Sequence, residues 1–237
     1  MLDDDLLGRL TAPLVAVDAA LARRFPGERL SRQPIHTCYV PADRFTASTA
    51  MAWGIEAMEV LDRHGASPTD LAEATGTPPH LAEPVDAHVR RALATEPVQD
   101  LRIDFEDGYG IRPDADEDAH ATLAAHGVLA AATTRTLPGS YGLRPKSLDP
   151  AVRDRGLRSL GLFLVALAAD GPPPPGLVVT LPKVSAPEQV TVFGQILAAY
   201  EDRLGLAPIP LEIQVETPAA VLALPALGAA GGAPRTR

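Results

Sequence analysis

At 237 residues the chain can hold one domain with a substantial buried core, and its 46% hydrophobic and 22% charged content excludes a disordered polymer. A net charge of -9 with no basic run leaves no footprint for nucleic-acid binding, and the acidic start, MLDDDLLGRL, is unlike a secretory leader. No apolar stretch approaches the roughly 18 residues of a membrane span. Cys38 is the sole cysteine, which excludes an internal disulfide and a zinc site of several thiolates, so the expectation is a cytoplasmic protein that binds neither nucleic acid nor membrane.

In chain order, residues 1–34 read as a helical lead-in, with leucine, valine and alanine at helical spacing from Asp3 to about Arg24. IHTCYV (Ile35 to Val40) has the β-branched and aromatic character of a first strand, in which Cys38 is a small buried residue; Phe45 to His64 is the helix after it, closed by Gly65. Residues 67–97 break the alternation and read as a helical insertion: a short capped helix in SPTDLAEATG, then a second helix that Pro84 interrupts. A second strand and its loop follow over Asp100 to Gly110, then strands at Ser140 to Leu148, Gly176 to Val184 and Leu211 to Thr217, with helical patterns between them. The proline run Pro172 to Pro175 stiffens the loop before the fourth strand. Residues 225–237 lack periodicity and read as a disordered tail.

Alternating strands and helices imply a parallel α/β sheet, either closed as a barrel or open and doubly wound. The absence of a G-x-G-x-x-G after Val40 favours the barrel. In both architectures functional groups collect at the carboxyl ends of the strands, and here those ends carry Asp104, Glu106 and Asp107, then Arg144 and Lys146, then Lys183, then Glu216. Lys146 and Lys183 are the only lysines among 21 basic residues, which points to positions that need a compact ammonium rather than an arginine fork. Along LEIQVET the period of a strand puts Glu212, Gln214 and Glu216 on one face, with Glu216 nearest the rim. A helix beginning near Pro218 offers Glu216 the alternative role of a helix cap.

The succession CYVPADR, DFEDGYG, LRPKS, LPKV and EIQVETPAAV resembles the HpcH/HpaI aldolase and citrate lyase β-subunit family of phosphoenolpyruvate/pyruvate-binding barrels, over about Ile35 to Leu224. The resemblance implies a (β/α)8 TIM barrel over residues 35–224. It also implies a divalent-metal-dependent carbon-carbon lyase or aldolase that works through an enolate on a keto acid or acyl-CoA, as a homo-oligomer when full length. On that resemblance Glu216 is a ligand of Mg2+ or Mn2+, Arg144 binds the substrate with Lys146 beside it, Glu106 and Asp107 lie by the metal water or the acyl group, and Lys183 orients Glu216 or pairs with Glu106. The chain departs from the family at Asp107, where pyruvate aldolases carry a histidine, and in RPK, where arginine-x-asparagine is common. The residues after Glu216 contain no Asp, Glu or His, so the second metal carboxylate and strands six to eight have no counterpart, and the chain reads as a barrel with about five of its eight strands. Two other functions fit the same residues. One is an aldolase that uses Lys183 or Lys146 as a Schiff base, and the other is a non-catalytic fragment or binding module.

Overall fold

The computed structural model describes residues 3–25, 27 and 32–230. The chain divides into two compact units, Met1–Gln33 and Pro34–Arg237.

The first unit holds α1 (Asp4–Thr11) and α2 (Leu14–Arg24). Asp3 caps α1 by accepting the Leu6 N–H at 2.7 Å. Where the periodicity predicts one helix, the structure has two segments. Pro13 has no N–H to donate and its ring crowds the preceding turn, so the ladder is interrupted at Ala12–Pro13.

The second unit is built on a five-stranded parallel sheet in the order β1-β2-β3-β4-β5, with β1 Cys38–Pro41, β2 Asp100–Asp104, β3 Ser140–Arg144, β4 Leu177–Leu181 and β5 Leu211–Ile213. The helices α3 (Thr49–His64), α6 (Asp114–Thr134), α7 (Arg153–Leu167) and α8 (Pro187–Leu204) connect consecutive strands. Between α3 and β2 lie α4 (Pro68–Thr75) and α5 (Ala82–Thr95), which pack on each other and on α3. Ser67 and Asp70 form a reciprocal capping box at the start of α4. Pro84 does not interrupt the second inserted helix: it stands in the first turn of α5, where a proline displaces no intrahelical hydrogen bond.

The strands alternate strictly. Leu101, Ile103, Tyr141, Leu143, Val179 and Leu211 join one apolar core with Ala121, Ala125 and Val128 of α6, Leu160, Phe163 and Leu164 of α7, and Phe193 and Leu197 of α8. The opposite face carries Arg102, Asp104, Arg144, Thr180 and Glu212, yet every residue of β2, β3 and β4 is buried. Gly142 is obligatory between these neighbours, because a Cβ there would collide with the backbone oxygen of Val178. Tyr141 secures the proline loop by donating its hydroxyl to the Pro174 carbonyl at 2.6 Å.

After β5 the chain forms α9 (Pro218–Leu222) and α10 (Leu224–Ala230). The expectation of a disordered tail from residue 225 is thus corrected as far as Ala230. Alanine and leucine favour a helix, and Leu227 is buried where α10 packs on α8; residues 231–237 lie outside the described residues. Among the described residues no helix is long and apolar enough to cross a membrane.

Candidate functional site at the strand ends

The polar face of the sheet is organised in two layers. The deeper one centres on Arg102, which is fully buried. Its guanidinium pairs with Asp100, donates to Thr180 Oγ1 at 2.8 Å and reaches Glu212 Oε2 at 2.9 Å; Thr180 in turn donates to Glu212 Oε1 at 2.9 Å. Thr37 donates its hydroxyl to Asp100 at 2.9 Å. β2, β4 and β5 are tied by a fully hydrogen-bonded charge cluster, the condition under which buried ions are tolerated.

Toward the carboxyl ends of the strands lies the second layer. Arg144, the last residue of β3, grips Asp104, the last residue of β2, through two parallel bonds of 2.7 Å. Asp104 also accepts the N–H groups of Glu106 at 2.9 Å and Gly108 at 2.8 Å, so one carboxylate shapes the turn that follows β2. Burial pushes this carboxyl up, but the Arg144 guanidinium and the two backbone N–H groups outweigh it and hold Asp104 below the ordinary range. Arg144 Nη1 donates to Gln214 Oε1 at 3.2 Å, Gln214 donates to the Tyr39 hydroxyl at 3.0 Å, and the Tyr39 ring lies 4.4 Å from the guanidinium. Burial, with Glu212 nearby, raises the Tyr39 phenol, which stays neutral and accepts from Gln214.

Lys183 completes the rim. Its ammonium sits between Glu106 Oε1 at 2.7 Å and Asp107 Oδ1 at 2.6 Å, and its backbone N–H donates to Glu216 Oε1 at 2.7 Å. The residue has φ of 52°, a left-handed conformation that costs a non-glycine residue energy and that these three carboxylates hold in place. Hydrogen bonds to Asp107 and then Glu106 push the amine well above its usual range, so it stays protonated. Glu106 is nearly buried and accepts the Ser147 N–H at 3.2 Å through its other oxygen; Asp107 and Glu216 are exposed.

Of the residues singled out from the sequence, Glu106, Asp107, Arg144, Lys183 and Glu216 meet in this network. Lys146 does not reach the rim. Buried behind the β2 turn, its ammonium donates to the carbonyls of Phe105 at 2.7 Å and Gly110 at 2.9 Å and lies 3.2 Å from Glu117 Oε2, which accepts no hydrogen bond. Glu216 does not cap α9. That role falls to Thr217, whose hydroxyl accepts the Ala220 N–H at 3.0 Å. Sequence alone places Glu212 and Gln214 on the same strand face as Glu216 but gives no role to Tyr39 or Arg102. Its one signal for Arg102 was an arginine at an alternate position inside the apolar run DLRID.

Among the described residues no three Asp, Glu, His or Cys side chains converge as a metal-binding group. An apolar cavity of about 350 Å³, lined by Pro172–Pro175 and Leu206–Pro210, opens at the amino-terminal ends of β4 and β5, the end opposite these ionisable groups. A protein family described as "Domain of unknown function (DUF6986)" matches residues 14–228. No curated protein matches the chain.

Proposed function

We propose that this chain, which belongs to the DUF6986 family, provides the site of a carbon-carbon lyase or aldolase that acts through an enolate on a keto acid or acyl-CoA, on a sheet that represents five strands of a (β/α)8 barrel. The strand order supports the barrel. Each strand lies beside its predecessor, whereas a doubly wound sheet reverses direction at a switch point. The polar face supports it too, since an open parallel sheet buries both faces against apolar helices, while here one face is lined by Arg102, Asp104, Arg144 and Glu212.

The observation that carries the reading is the single hydrogen-bonded network linking Tyr39 of β1 with Asp104, Arg144, Lys183 and Glu216, which stand at or just beyond the ends of β2, β3, β4 and β5. In a retro-aldol cleavage, a carboxylate takes the proton of the substrate hydroxyl, the carbon-carbon bond breaks, and its electron pair moves onto the carbonyl oxygen as an enolate that is then protonated at carbon. Asp107 is the exposed carboxylate placed for the first transfer. Arg144, with N–H groups left over from the Asp104 clamp, and the Lys183 ammonium supply fixed positive charge for the enolate oxygen. Bound Mg2+ or Mn2+ would add Lewis-acid stabilisation of the same charge. The donors as arranged do not fit such an ion, because the Lys183 ammonium stands between Glu106 and Asp107, Glu106 is engaged through both oxygens, and no three carboxylates converge among the described residues.

A Schiff-base route is disfavoured. It requires an amine with a depressed pKa, whereas Lys183 is shifted upward and the Lys146 ammonium is engaged on three sides. The test is calorimetric titration of the protein and of Arg144→Lys with pyruvate and oxaloacetate, each with and without Mg2+. Binding that Arg144→Lys abolishes supports the reading, and binding that survives the substitution, or none in any condition, refutes it.

A further inference from the structure

We propose that α1 and α2 form a self-association surface that pairs, antiparallel, with the same helices of a second copy of this chain. Leu7, Leu10, Leu14, Val17 and Leu21 recur at alternating spacings of three and four, the repeat that puts residues on one helix face. The interruption at Pro13 leaves that face continuous, because Ala12 (φ -48°, ψ -40°) and Pro13 (φ -61°, ψ -23°) keep helical dihedrals. These side chains are exposed by 42%, 61%, 53%, 50% and 50%, and neither helix has a buried residue. Helices of 8 and 11 residues are too short to hold their structure in water on propensity alone and need an apolar surface against the stripe.

The charges identify the occupant. Asp3, Asp4 and Asp5 begin the segment, and Arg23 and Arg24 end it, about 30 Å away at the helical rise. A second copy lying antiparallel sets the acidic end of each against the basic end of the other, and the apolar stripes meet between them. A parallel copy would stack like charges at both ends. The segment is thus complementary to itself, as a two-fold interface requires.

Sedimentation equilibrium of the full chain over the micromolar range reads this out, with circular dichroism confirming that each variant is folded. The parent chain forms a dimer. Leu10→Glu with Val17→Glu, which puts unpaired carboxylates into the stripe, leaves only monomer. Arg23→Glu with Arg24→Glu weakens the dimer about tenfold or more, and adding Asp4→Lys and Asp5→Lys restores it. The proposal is overturned if the parent is monomeric at the highest attainable concentration, or if the dimer survives the stripe substitutions. It is equally overturned if the charge reversal has no effect, as a parallel pair would show, or if the stripe substitutions lower the melting temperature of a chain that is already monomeric, which would mean that the stripe packs on the chain's own body.

Discussion

Lys146 and Lys183 close on the same turn: Lys146 holds the backbone carbonyls of Phe105 and Gly110, and Lys183 holds the side chains of Glu106 and Asp107. In a chain that otherwise uses arginine, both lysines are spent on the segment that carries the rim carboxylates. An ammonium is compact and directs three donors tetrahedrally, which suits convergence on several oxygens, whereas a planar guanidinium does not fit between them.

The two substitutions to methionine should therefore behave differently. Lys146→Met leaves the Phe105 and Gly110 carbonyls without their donor and removes one cation from the buried Glu117, a loss of about 3–5 kcal/mol in urea unfolding. Lys183→Met acts on a half-exposed ion pair and costs about 1 kcal/mol or less, yet frees Asp107 and removes the rim cation. Equal losses for the two variants would contradict this division.

Arg102 is the more severe test of the interior. Replacing it with methionine leaves Asp100 and Glu212 facing each other across the sheet without a cation and should destabilise the protein by about 3–5 kcal/mol. Adding Glu212→Gln and Asp100→Asn to the same variant removes the uncompensated charge and should recover part of that loss in the same denaturation assay. No recovery would mean that Arg102 acts through packing alone.

The strand starts and the alternation are legible because the apolar positions repeat with period two and the breaks fall at Gly, Pro and Asp; β2 to β5 begin at or next to Asp100, Ser140, Gly176 and Leu211 as expected, but β3, β4 and β5 end at Arg144, Leu181 and Ile213, short of the expected Leu148, Val184 and Thr217. β1 was displaced, running from Cys38 to Pro41 while Ile35 is exposed, because β-branched character marks extended chain but not which part of it finds a partner strand. The convergence of Glu106, Lys183 and Glu216 followed from their places at successive strand ends. What the sequence withheld was pairing. Nothing local distinguishes Lys146, aimed behind the turn, from Lys183 in front of it, or tells that Asp104 claims two edges of Arg144, since those partners are dozens of residues apart.

Asp104 should govern part of the acid limb of stability. Its folded pKa lies below the unfolded value of about 3.9, so between the two the folded state binds fewer protons than the unfolded one. The contribution is complete above the unfolded pKa and is lost as pH falls through the folded one. Asp118, held at about 2 by Arg158 and Arg155, acts in the same direction. Asp104→Asn should lower the melting temperature at neutral pH and reduce the further drop below pH ~4, while the Asp118 contribution remains. A variant whose melting curve runs parallel to the parent's through the acid range would show that Asp104 takes no part in this linkage.

The last prediction separates charge from scaffolding at Glu216, and it rests on the enolate reading. Glu216 Oε1 accepts the backbone N–H of Lys183, which sits in a left-handed conformation, so the carboxylate has both a mechanical and an electrostatic relation to the rim. Glu216→Gln keeps a carbonyl acceptor for that N–H and removes only the charge, so stability should change by less than about 0.5 kcal/mol. Glu216→Ala removes the acceptor too and should destabilise the protein by about 1 kcal/mol, the usual worth of one hydrogen bond. If the charge serves the site, both variants alter pyruvate or oxaloacetate binding in calorimetric titrations to a similar extent. If Glu216 only holds the Lys183 turn, the glutamine variant binds as the parent does and only the alanine variant is impaired.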